Sequence, residues 1–142
     1  MKTNFRLGLI SLLISLRAFA LEPIPESFSG QLKDERFDVS PASVEHFRAK
    51  LWNPEKQDVP LSARAAVAAA RASLKKMFGA SEALFACEEV ALHRDNGDGY
   101  YLVRFESMDP SLIKKTDIGT YPAIIPFIVY FDGFVEPPVK RA

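Results

Sequence analysis

Residues 123–131, Ala-Ile-Ile-Pro-Phe-Ile-Val-Tyr-Phe, limit what this chain can fold into more than any other stretch, because they are apolar on both faces of an extended backbone. Side chains alternate along a strand, so Ile125, Phe127, Val129 and Phe131 share one face, and Ile124, Ile128 and Tyr130 share the other. A strand of this kind needs a cover on each side. Pro126 has no backbone N–H to give to a ladder and predicts a bulge or an edge position.

One cover is written into residues 62–78. Alanine at 63, 65, 66, 68, 69, 70 and 72 gives high intrinsic helicity, and Ala66, Val67, Ala70, Leu74, Met77 and Phe78 form an apolar stripe. Ser62 is placed to cap the first turn, and Gly79 to stop the last. Arg64, Arg71 and Lys75 are expected on the solvent side. A helix of about sixteen residues is marginal alone in water, so packing must hold it. Small alanines in the stripe let a sheet approach closely.

Residues 85–94 read as a strand with Val90 and Leu92 on one face and Ala91 and His93 on the other. Asn96-Gly97 and Asp98-Gly99 turn the chain, and residues 100–106 return with Tyr101, Val103 and Phe105 alternating against Leu102, Arg104 and Glu106, one face buried and one largely wet. Residues 108–121 form a long loop, and residues 134–136 a last short strand that Pro137-Pro138 stops. Upstream, residues 21–39 read as an irregular or partly extended arm. Ser40-Pro41 then opens a short helix with Val44, Phe47 and Leu51 on one side, ended by Trp52-Asn53-Pro54. The second cover of 123–131 comes from this segment around Phe47 and Trp52, or from a second protein chain.

The first twenty residues set the address. Lys2 and Arg6 precede an apolar run over residues 7–16, and Ala18-Phe19-Ala20 has the small residues of a cleavage site, the pattern of an export signal cut after Ala20. Ten apolar residues followed by Arg17 fall short of the roughly 20 that span a bilayer. Residues 1–20 hold Lys2, Arg6 and Arg17 and no acid, so cleavage leaves 15 basic against 18 acidic side chains, a formal charge of about −3. That balance offers nothing to nucleic acid or an anionic membrane. Cys87 is the only cysteine, so no internal disulfide can form. The expected product is a periplasmic or secreted protein with no stable membrane insertion.

Few residues invite chemistry. Cys87 reads as a small buried hydrophobe, with a disulfide-linked homodimer as the sharper alternative. Cys87 and His93 lie six residues apart on the same strand face, about 20 Å by strand rise, too far to act as nucleophile and base. His46 is expected to point to solvent. Two histidines without ligand spacing argue against zinc. In Asp95-Asn96-Gly97-Asp98-Gly99, glycines stand where a calcium loop needs its third and fifth ligands, so the segment reads as a hairpin turn. There is no G-x-S-x-G, phosphate-cradling loop or dinucleotide fingerprint. The reading is an exported noncatalytic chain with no cofactor, metal or catalytic residue.

The serine-capped helix with Ser62, Ala66 and Ala70 evenly spaced, the aromatic strand at Tyr101, Val103 and Phe105, and Tyr130-Phe131-Asp132-Gly133 resemble PepSY-type domains of exported bacterial proteins, related in architecture to the cystatin-like group. The resemblance spans residues 60–136. It implies a noncatalytic module that binds or restrains other proteins, often proteases, with no shared catalytic residues.

The expected organisation is therefore an export signal (1–20), an arm with a short helix (21–59) and an α+β domain (60–142) with one main helix on an antiparallel sheet of three to four strands. Protein contact is expected through the loop 108–121 or a sheet edge near 124–127, with Ile125, Phe127, Leu112, Ile113 and Tyr121 as the candidate surface. A small-ligand pocket between helix and sheet is the second reading.

Overall fold

The computed structural model describes residues 26–47, 52–95 and 98–141. The expected export signal with its cleavage site, Leu51 and the expected turn at Asn96-Gly97 lie outside them. The fold is α+β, with one main helix on an antiparallel sheet.

Helix α2 (Ala63–Phe78) forms where the alanines predict it. The Ser62 hydroxyl accepts the Ala65 N–H, and Gly79 closes the helix at φ 58°, its N–H donating to the Lys75 carbonyl. The helix is preceded by the one-turn helix α1 (Val44–Phe47) and followed by a 3-10 segment, Gly79–Leu84. Ala66, Ala70 and Leu74 are fully buried, whereas Met77 at the end of the expected stripe is exposed. Arg71 is only partly in solvent, 36% exposed at its side chain. It folds back so that its guanidinium lies 4.9 Å from the centre of the Phe105 ring, bonds Glu82 at 2.6 Å and donates to the Phe85 carbonyl at 3.2 Å.

The main sheet contains β1 (Phe28–Leu32), β2 (Glu35–Val39), β3 (Phe85–Asp95), β4 (Asp98–Ser107), β7 (Ile124–Tyr130), β8 (Val135–Glu136) and β9 (Val139–Arg141). These seven strands exceed the three or four expected. They run in the order β3-β4-β7-β1-β2-β9, with β8 also on β7, and every pairing is antiparallel. A separate hairpin, β5 (Lys114–Thr116) with β6 (Gly119–Tyr121), occupies what reads in sequence as a loop.

Residues 28–39 are a regular hairpin, not an irregular arm. Phe28 and Leu32 face the same way as Phe37 and Val39 across it, with Gly30 between, and Lys33 takes the positive φ of 54° at the turn. Gly30 explains both the missed alternation and the hairpin's position. A Cβ there would stand 2.6 Å from Pro126 Cδ and overlap the Ile124 carbonyl, so only glycine lets β1 cross the margin of β7. Leu32 and Phe37 then reach the helix-side core, while Phe28 and Val39 reach the core on the other face.

Strand β7 is central, so Pro126 marks neither an edge nor a bulge: β4 pairs along its whole length, and on its other side β1 touches only Ile124 while β8 pairs with Ile128 and Val129. Pro126 sits in the gap between β1 and β8, where no ladder partner is lost. Both faces of β7 are covered. Ile125, Phe127, Val129 and Phe131 pack under α2, and Ile128 and Tyr130 join Phe28, Val39, Tyr100 and Leu102 beneath Phe47. Tyr100 and Leu102 are thus buried on the face of β4 expected to be wet. Trp52 covers the helix side instead, edge-on to Phe131 at 5.8 Å.

In β3 the register shifts at a bulge between Cys87 and Glu89. One extra residue reverses the alternation. Cys87 therefore pairs with Phe105 on the helix side, while His93 pairs with Tyr100 on the other, and the two do not share a face. Cys87 is exposed, not a buried hydrophobe. Its thiol is pushed up by loss of water around the sulfur, which outweighs the nearby charge of Arg71.

Candidate functional site

Of the five residues expected to form a contact surface, Ile125 and Phe127 are completely buried under α2. They hold the core and offer nothing to a partner. Leu112 and Ile113 are half-buried against the same core, and only Tyr121 is exposed.

Tyr121 lines an open groove of about 390 Å³ together with Ser29, Gln31, Arg36, Arg104, Pro122 and Ile124. The groove arises where β1 parts from β7 after the single pair Gln31↔Ile124. Arg36 comes from β2 and Arg104 from β4. Arg36 reaches Asp38 at 2.9 Å through Nε and the Ser29 hydroxyl at 3.0 Å through Nη2. Arg104 reaches Glu89 at 3.0 Å through Nη1, and its Nε is buried with no hydrogen-bond partner. The Asp38 carboxyl is held below its usual range by its bonds to Ser29 and Arg36, with Arg141 also at 3.3 Å.

The β5–β6 hairpin borders this groove through Tyr121. Its base is tied to the β1–β2 turn by the Lys33 N–H donating to the Leu112 carbonyl at 2.6 Å, and Lys114 lies 3.7 Å from Asp34. Ile118 follows at its tip, 87% exposed.

The histidines lie elsewhere, on the face of the sheet away from α2. His46 Nδ1 is 2.6 Å from Asp132 Oδ2, and its ring stacks on Phe134 at 3.8 Å, so it is docked and does not point into solvent. Burial pushes the Asp132 carboxyl up, but the His46 bond, the Phe134 N–H and the charge of His46 outweigh this and hold it low. Nearby, Ser43 donates its hydroxyl to Glu136 at 2.6 Å, and the Tyr130 hydroxyl accepts the Ser43 N–H and donates to the same carboxylate. Burial first, then Glu136, pushes the Tyr130 hydroxyl up to about 12. Ser43 and His46 bond different carboxylates, so no nucleophile–base pair is formed between them. His93 stacks on Tyr100 and lies 3.4 Å from Glu26. Among the described residues no group of three or more His, Cys, Asp or Glu is placed to hold a metal ion.

The groove arginines escape sequence reasoning because 36 and 104 lie far apart in the chain. The one local signal is Arg104 itself, a charge on the same strand face as Tyr100 and Leu102. No known family model, curated protein or solved structure matches this chain.

Proposed function

We propose that this chain is an exported, noncatalytic binding module of the bacterial envelope, PepSY-like in character, whose partner is another protein. One observation carries the reading: the β5–β6 hairpin presents Ile118 at its tip and Tyr121, 43% exposed, beside an open groove. Large exposed side chains on a hairpin next to polar groove walls, one aliphatic and one aromatic, have the composition of a contact surface. The small-ligand reading is opposed by the packing of α2. Ala66, Ala70 and Leu74 are fully buried and bring the helix close to the sheet, leaving little room between them.

The test is affinity capture from the host's envelope extract with the chain from residue 21 onward, set against an Ile118→Asp, Tyr121→Ala double variant. Saturable retention of one protein, lost in the variant at unchanged melting temperature, supports the reading. Equal retention by both chains, or none by either, removes it.

A further inference from the structure

We propose that the groove between Arg36 and Arg104 is a carboxylate-binding site, which takes the carboxylate of an extended peptide segment. The inference deepens the binding-module reading and rests on it.

A guanidinium carries five N–H donors in a planar fork that matches a carboxylate. Arg104 commits Nη1 to Glu89, and its Nε, on the other edge of the guanidinium, has no partner although it is buried. Burying a donor without an acceptor is unfavourable, and an oxygen that reaches the Nε–Nη2 edge of the guanidinium, the edge that Glu89 does not hold, relieves it. Arg36 adds a second guanidinium to the lining, 65% exposed at its side chain. Its Nε and one Nη are occupied by Asp38 and Ser29, which fix the group's direction and leave its other donors open.

The remaining lining identifies the ligand class. Ser29 and Gln31 supply hydrogen-bonding side chains, while Tyr121, Pro122 and Ile124 give an apolar wall beside the charges. A volume of about 390 Å³ is at the small end of ligand sites, enough for about two peptide residues. A carboxylate next to an apolar side chain fits these walls. Two sources have that chemistry, a peptide's C-terminus or an acidic side chain flanked by an apolar residue.

Isothermal titration of the purified protein with three probes separates them: acetyl-Leu-Leu with a free carboxylate, its C-terminal amide, and acetyl-Glu-Leu amide. Binding of the free acid at least tenfold tighter than its amide assigns the C-terminus. Binding of the Glu-Leu amide alone assigns a side-chain carboxylate. Arg104→Gln and Arg36→Gln should each weaken binding about tenfold, whereas Glu89→Gln, which frees Arg104 from its internal carboxylate, should tighten it severalfold. A merely structural Arg104–Glu89 pair would not give opposite signs. The proposal fails if the acid and both amides bind equally, if none binds, or if Glu89→Gln weakens binding as Arg104→Gln does. Ile118→Asp keeps the two readings apart: loss of the captured protein without any dipeptide binding removes the groove proposal and leaves the hairpin surface standing.

Discussion

On its helix side β7 meets Leu74, two buried alanines and Phe105, a dry layer in which Phe105 and Phe127 pack edge to face at 5.9 Å. On its other side Ile128 and Tyr130 are buried as deeply, but the cover is borrowed from residues 28–47 and tied down by polar links: Tyr130 with Ser43 and Glu136, His46 with Asp132. Equal burial therefore hides unequal construction. The dry side depends on shape and apolar area, whereas the tied side depends also on hydrogen bonds and on the charge state of Asp132. The first should respond to volume and the second to pH and to loss of single polar atoms.

The strongest way to break the contrast is Phe127→Ala, which removes a fully buried ring on the dry side and should cost about 3–5 kcal/mol, read from urea unfolding. A loss below about 1 kcal/mol would mean that α2 is not held by that layer. Gly30→Ala attacks the point where one hairpin serves both sides, since the new methyl would press on the Ile124 carbonyl and Pro126, and about 2–3 kcal/mol is expected by the same measurement. If it proves neutral, β1 does not cross β7 as closely as described.

Tyr130→Phe keeps the ring and removes the hydroxyl between Ser43 and Glu136, with an expected loss of about 1.5 kcal/mol. Amide exchange sharpens this one: protection should fall at residues 43–47 and hold in α2. The smallest effect is the acid limb. Asp132 sits below its ordinary 3.8 in the folded protein, so its contribution is complete above about pH 3.8 and is lost as pH falls through the lowered value. Asp132→Asn should flatten that part of the stability profile. An unchanged profile would show that the His46–Asp132 link does not hold α1 to the sheet.

The legible parts of the fold were the local ones. Ser62, the alanines and Gly79 placed α2, because capping, propensity and stop signals act within a turn. The alternation of Tyr101, Val103 and Phe105 gave β4, and the doubled apolar pattern of 123–131 correctly demanded two covers. Phe47 was rightly expected among them, although Trp52 went to the other face. The hairpin 28–39 was missed because Gly30 interrupts its apolar alternation, and that glycine is needed by a strand more than ninety residues away. The bulge near Glu88 was likewise silent, and it reversed the relation of Cys87 to His93.

The candidate site was less legible still. Tyr121 is exposed as expected, but Ile125 and Phe127, read from sequence as surface, spend their hydrophobicity on the core. Arg36 and Arg104 looked like ordinary strand charges until β1 left β7 and opened the groove between them.

By itself the sequence determined one amphipathic helix, a β3–β4 hairpin and a strand that must be covered twice, because each follows from side-chain periodicity and turn chemistry over a few residues. Only the tertiary structure decided which segments supply the covers, that β7 is central, and that two arginines from separate strands face one groove. Those outcomes depend on which surfaces of distant segments fit together, and close packing is a property of the assembled chain, not of any window along it.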